Sequence, residues 1–283
     1  MRKFVIFISL ILLAMLAGLF YWAWDVTVPV SDVPEVSYEE VTSGERQEAG
    51  GEGQATSDEG QEVDEVGVKY LEPTQIAVDE TNENSDPDLP SEINLAVPFT
   101  PQAPFANWDL PYQEACEEAS AYMVYLYFQG EGSGLVDAQT ADNEIWNLVN
   151  FETDYLGTYL DTTALQTVDF IDAYYGLSAT MIEDPTIEQI KAELAAGRPV
   201  IVPAAGQKLG NPFFSGVGPL YHMLVLRGYD GDTFITNDPG TRNGEGYVYD
   251  VNVIMEAMGD WNNGDPANGA KRVIFVAPSE DDR

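Results

Sequence analysis

Apolar positions change their period several times along the chain. Phe4 to Trp24 runs for 21 residues without a charge, behind the short basic head Met1-Arg2-Lys3. As a helix rising about 1.5 Å per residue, that run spans roughly 30 Å, the thickness of a bilayer core. Tyr21, Trp22 and Trp24 stand where an interfacial aromatic belt forms, and Arg2 and Lys3 orient the rest of the chain outward. A cleaved signal peptide is the alternative, cut after Ala17, although Met15 then occupies a place where a small residue is preferred. Both readings put the mature chain outside the cytoplasm, either anchored in the membrane by residues 1–24 or secreted.

From Asp25 to Glu92 the apolar period disappears. This stretch holds 20 acids, against Arg46 and Lys69 as its bases. A segment so charged and so poor in apolar surface cannot offset its ordering entropy, so residues 25–92 are predicted to be a disordered, extended acidic linker. Periodicity returns over residues 93–279, a length normal for one domain, with residues 280–283 as a tail. Leu95–Phe99 reads as a strand, followed by a Pro-rich loop. A helix is predicted from Ala115 to Gly130, with Ala119, Met123, Leu126 and Tyr127 on its buried face. Further helices are predicted over Ala138–Val149 and Thr162–Tyr175. Then LSATMIE reads as a strand, TIEQIKAELAAG as a helix, and Arg198–Ala204 as a β-rich run. A Gly/Pro-rich loop, Gly206–Pro219, leads into an alternating apolar strand and a hairpin around Asp230-Gly231. GYVYDV and KRVIFVA close a sheet. Helices first and mostly strands afterwards predict an α+β fold with an antiparallel sheet.

Charge narrows the choice of partners. The chain carries 48 acids and 12 bases, a net charge of −36. The predicted domain keeps this bias, with 28 acids and 8 bases through the C-terminus. Nucleic acid is excluded as a partner because phosphate binding needs a basic surface. One cysteine rules out an intrachain disulfide and a multi-cysteine metal site. No Ca²⁺ loop pattern is present, so neither a metal nor an organic cofactor is expected.

The lone cysteine and the lone histidine then frame the chemistry. Cys116 stands at the first turn of the first strong helix, where unpaired amides favour a thiolate, while Glu117 and Glu118 oppose it. His222 heads a strand after a Gly/Pro-rich loop. Asp238 follows 16 residues later, at the end of the next strand of the hairpin, where it falls roughly opposite His222. A carboxylate there can accept an imidazole N–H and fix the tautomer, with Asn237 as the fallback. A helix-start Cys, a strand His and a strand-end Asp together describe a nucleophile, a base and an orienting group.

The blocks VPFTPQ, CEEASAYMV, LAAGRPVIV, YHMLVLRGYD and TNDPG, in that order, resemble the C39-like group of papain-fold cysteine peptidases over most of Leu95–Ala277. The resemblance implies a papain-like fold with N-terminal helices packed on an antiparallel sheet. It implies Cys116 as nucleophile, His222 as general base and Asp238 as the group that orients the histidine. It also implies a glutamine in the oxyanion hole, Gln102 by its place after VPFTP or Gln113 by its closeness to Cys116. Trp108, Tyr112, Phe213 and Phe214 lie on loops that could line a substrate cleft. Transporter-linked members carry Cys-Gly and face the cytoplasm. Here Glu117 follows the cysteine and no transporter domain is present, so the extracytoplasmic group is the nearer match. The implied activity is thiol-dependent hydrolysis of peptide bonds in peptides or proteins. The alternatives are a peptidoglycan amidase or endopeptidase acting on cell-wall peptides, and a non-catalytic binding module.

Overall fold

A computed structural model describes residues 28–43 and 89–279. The apolar run Phe4–Trp24 and most of the acidic linker lie outside these residues. Among the described residues no helix is long and apolar enough to cross a membrane.

A seven-stranded sheet forms the middle of the fold. Its strands are β1 (Glu92–Asn94), β2 (Ser178–Glu183), β3 (Val200–Ala205), β4 (Tyr221–Asp230), β5 (Thr233–Asn237), β6 (Tyr247–Asp250) and β7 (Arg272–Ala277). They run in the order β2-β7-β3-β4-β5-β6, and β1 pairs with β4 beyond the end of β3. Every pairing is antiparallel. The helices are α1 (Tyr38–Ser43), α2 (Cys116–Phe128), α3 (Ala138–Tyr155), α4 (Ala164–Phe170), α5 (Ile187–Ala195), α6 (Gly206–Leu209) and α7 (Val251–Ala257). The α+β class and the packing of helices on an antiparallel sheet are as predicted.

Local chemistry sets most of the boundaries. Capping boxes start α4 and α5, pairing Thr163 with Gln166 and Thr186 with Gln189. Asp137 caps α3, which runs on to Tyr155, past the expected end at Val149. The predicted strand over Leu95–Phe99 is displaced to β1. Val97 N–H turns back onto the Leu95 carbonyl, and Pro98 has no N–H to give a ladder. Helix α7 was not foreseen; the Asp250 carboxylate caps it by accepting from Asn252 N–H.

The centre of the sheet corrects the reading of β4 as an alternating strand. Tyr221 to Tyr229 are all buried, because helices α2 and α5 pack against β4 and β3 lies beside it. An antiparallel strand covered on both faces loses the in–out alternation of a half-solvated one. Helix α2 is similarly central: Cys116 to Val124 are buried on every face.

Part of the expected linker is also corrected. Residues 28–43 pack on the domain: Val30 bridges Tyr247, Val36 bridges Leu95, and Tyr38 packs edge-on against Tyr127 and Phe128. The reason lies in Arg227, whose side chain is fully buried in β4. Its guanidinium donates to Asn94 and pairs with Glu35. A buried arginine without a counter-ion is costly, and one acid of this acidic stretch supplies the charge.

Candidate active site

His222 and Asp238 meet at the end of the sheet. Paired residues in the hairpin run from Asp230↔Thr233 to Val225↔Asn237, with an irregularity between Leu226 and Gly228. Asp238 therefore follows the last pair instead of lying opposite His222, and its side chain reaches across. Asp238 Oδ1 lies 2.7 Å from His222 Nε2, with both side chains buried. Three further donors hold the carboxylate. Tyr249 Oη donates to Oδ2 at 2.6 Å, Asn211 Nδ2 donates to Oδ2 at 3.1 Å, and Gly240 N–H donates to Oδ1 at 3.0 Å. Burial by itself would raise the Asp238 carboxyl, but His222, Tyr249 and Gly240 together hold it below its ordinary value. Tyr249 is raised by burial and by the Asp238 charge, so it stays a donor. Gly240 is required by space: a Cβ there would come within 2.9 Å of His222 Cε1.

Nε2 is thus occupied by Asp238, and Nδ1 has no hydrogen bond among the described residues. Cys116, first residue of α2, is buried in the same core as Tyr221 and Met223, the strand neighbours of His222 on β4. Helix α2, which begins at Cys116, packs on β4, the strand that carries His222. The Cys116 thiol, however, donates to Glu117 Oε2 at 2.9 Å. Burial first, and the Glu117 charge next, push the thiol well above its ordinary value.

The acids after Cys116 are not solvated. Glu117, Glu118 and Glu152 are all buried, Glu152 coming from α3. Neither oxygen of Glu118 or of Glu152 has a hydrogen-bond partner among the described residues. Burial pushes Glu117 up to about 8. Glu118 is raised well above its ordinary value by burial and then by Glu152, and Glu152 by burial and then by Glu117. Among the described residues no His, Cys, Asp and Glu cluster has the arrangement of a metal site.

A cavity of about 490 Å³ opens next to these groups, and Gln102, Gln113, Trp108, Phe213 and Phe214 lie on its wall. The Phe214 ring stands edge-on to His222, with centroids 5.4 Å apart. Gln102 is buried. Its backbone N–H donates to the Pro239 carbonyl, its Nε2 donates to the Tyr112 carbonyl, and its Oε1 has no partner among the described residues. Gln113 is exposed. Tyr112 corrects the expected lining. It is not on this wall, because its hydroxyl donates to Asp142 and accepts from Trp146, which ties the loop to α3. Tyr249, Asn211 and Gly240 were not anticipated. Only the period of two in YVYD hinted that Tyr249 shares a face with Tyr247.

The model of the Peptidase C39 like family matches residues 94–265. The chain belongs to that family. A crystal structure from Bacillus anthracis, provisionally named a C39-like peptidase, matches at 17% identity and a TM-score of 0.43. That match covers 66% of this chain and 98% of the other. No curated protein matches the chain. Cys116, His222 and Asp238 all fall inside the C39-like segment, as do Gln102 and the aromatic residues of the cavity wall.

Proposed function

We propose that this C39-like chain is a cysteine peptidase in which Cys116 attacks peptide carbonyls, His222 moves the proton and Asp238 orients the imidazole. The observation that carries the reading is the buried His222–Asp238 contact at 2.7 Å, on the strand against which the helix that begins at Cys116 packs. With Nε2 held by Asp238, Nδ1 is the nitrogen available to the sulfur.

The thiol first turns from Glu117 to His222 Nδ1 and gives up its proton there. The thiolate then adds to the carbonyl carbon. The Cys116 amide, at a helix start where no intrahelical acceptor exists, and the Gln102 side chain support the oxyanion. His222 protonates the leaving amine, and the thioester that forms is cleared by water with His222 again as base. Asp238 stays ionised throughout, since its four donors all favour the charged form. The sequence of residues 1–24 supports an outward-facing, membrane-tethered or secreted setting for this chemistry.

A library of internally quenched peptides incubated with the full chain tests the proposal. Because the chain has one cysteine, a single equivalent of iodoacetamide is expected to abolish the cleavage. Cleavage that survives complete carboxymethylation would overturn the mechanism. Release of cell-wall peptides with no cleavage in the library would move the substrate to peptidoglycan.

A further inference from the structure

Among the described residues every lysine and arginine but one has a partner. Arg198 pairs with Glu193, Arg227 with Glu35, and Arg272 with Glu183 and Asp260. Lys191, Lys208 and Lys271 donate to backbone carbonyls. Arg242 is exposed and makes neither a hydrogen bond nor an ion pair with any described residue. In a chain with 48 acids, a free arginine is a conspicuous exception.

Its position adds the second observation. Arg242 lies on the wall of the 490 Å³ cavity beside His222 and also on that of a neighbouring cavity of about 460 Å³. The second cavity is apolar on its other sides, with Pro101, Phe105 and Leu135 among its walls. The cation therefore stands between a cavity of mixed polar and aromatic lining next to His222 and a mostly apolar one.

The loop that carries it is braced against the site. Asp238 N–H donates to the Gly244 carbonyl, Gly240 N–H to Asp238 Oδ1, and Gln102 N–H to the Pro239 carbonyl. Gly244 passes so close that a Cβ there would lie 1.9 Å from the Asp238 carbonyl oxygen. The backbone bearing Arg242 is therefore fixed relative to His222. A planar guanidinium with its donors free is matched to a carboxylate, which it can bind through two parallel hydrogen bonds.

We infer that Arg242 recognises a carboxylate of the peptide substrate, so that the enzyme selects peptides carrying an acidic group flanked by apolar residues. This rests on the peptidase reading above and names the substrate class for it. Polyanionic peptides are not favoured, because the chain's net charge of −36 repels added negative charge. At physiological salt, charges beyond about 8 Å are largely screened, so a single carboxylate in contact with Arg242 feels that cation above all.

The test uses quenched peptides in matched sets, with Glu or Gln at one position and a free or amidated C-terminus. The wild-type full chain is expected to cleave the Glu member of one pair about tenfold faster in kcat/KM. Arg242→Gln should bring that ratio to about one, and Arg242→Glu should favour a Lys member. A preference for the free acid over the amide would instead place the carboxylate at the substrate C-terminus, still on Arg242. A second readout does not need turnover: intrinsic tryptophan fluorescence of Cys116→Ala, with Trp108 on the cavity wall, titrated with the same pairs. Tighter binding of the Glu member, lost with Arg242→Gln, supports the inference even where no peptide is cleaved, and then only the peptidase reading fails. Cleavage or binding that ignores the charge, or a charge preference unchanged by Arg242→Gln, overturns the inference and leaves the peptidase reading standing.

Discussion

Asp238→Asn is expected to lower kcat for peptide hydrolysis by about 10³- to 10⁴-fold while KM changes little. The magnitude follows the loss seen when a triad carboxylate is replaced by an amide of the same shape. The ionised Asp238 accepts the imidazole N–H at Nε2, which leaves Nδ1 unprotonated to take the thiol proton. An amide in its place can turn its NH₂ toward Nε2, which moves the ring proton to Nδ1, where a base is needed. Asparagine is the informative substitution because alanine would also strand Tyr249, Asn211 and Gly240, whose donors all converge on the carboxylate. Tyr249→Phe should cost about tenfold, since Asn211 still donates to the same oxygen. Steady-state kinetics alongside thermal melts separates the effects. An Asp238→Asn enzyme within a few-fold of wild type would reduce the carboxylate to a structural role.

The other large effect is on stability, and it depends on pH. The carboxyls of Glu117, Glu118 and Glu152 are raised in the folded protein, whereas in the unfolded chain they titrate near 4.5. The folded state therefore binds more protons than the unfolded state above pH 4.5. Stability contributed this way is complete below that pH and is lost as pH rises through the folded values, which for Glu117 means toward about 8. Asp238 works in the opposite sense. Its folded value lies below 3.8, so its contribution is present above that pH and fades only in stronger acid. Exposed acids are fully ionised by about pH 6 in either state and add no slope above it.

The melting temperature should accordingly fall by roughly 10 °C between pH 5.5 and pH 8.5, as a few kcal/mol of buried ionisation does in a domain of this size. Glu118→Gln keeps the shape and removes one ionisation, so it should raise the pH 8.5 value and narrow the gap. Glu114 and Asp161 are less buried and also raised by burial, and they add to the slope without dominating it. Parallel melting curves for wild type and Glu118→Gln across this range would show that these carboxyls do not titrate as buried groups.

How much of this could be read from residues alone depends on the distance over which each contact acts. Cys116, His222 and Asp238 could be singled out as candidates because each sits at the end of an element that local patterns define: a helix start, a strand start and a strand end. The exact meeting of His222 with Asp238 was not, since the irregularity between Leu226 and Gly228 shifts the hairpin register and no pattern marks it. Tyr249 and Asn211 reach Asp238 only because β6 returns beside β5 and the loop after α6 folds over the sheet end. The Glu35–Arg227 pair joins residues 192 positions apart, within a stretch whose average composition reads as linker. Glu117 and Glu118 look solvated in sequence, and their burial follows from the crowding of α2 by α3 and β4.

The pH dependence of Cys116 alkylation by iodoacetamide, in the full chain and in His222→Ala, tests the pairing at the centre of this account most directly. Wild type is expected to alkylate at neutral pH, because His222 Nδ1 is open to take the thiol proton. His222→Ala should alkylate only well above the ordinary thiol range of about 8.5, where burial and Glu117 place an unassisted thiol. Identical profiles for the two proteins would contradict the account, because Cys116 would then ionise without His222.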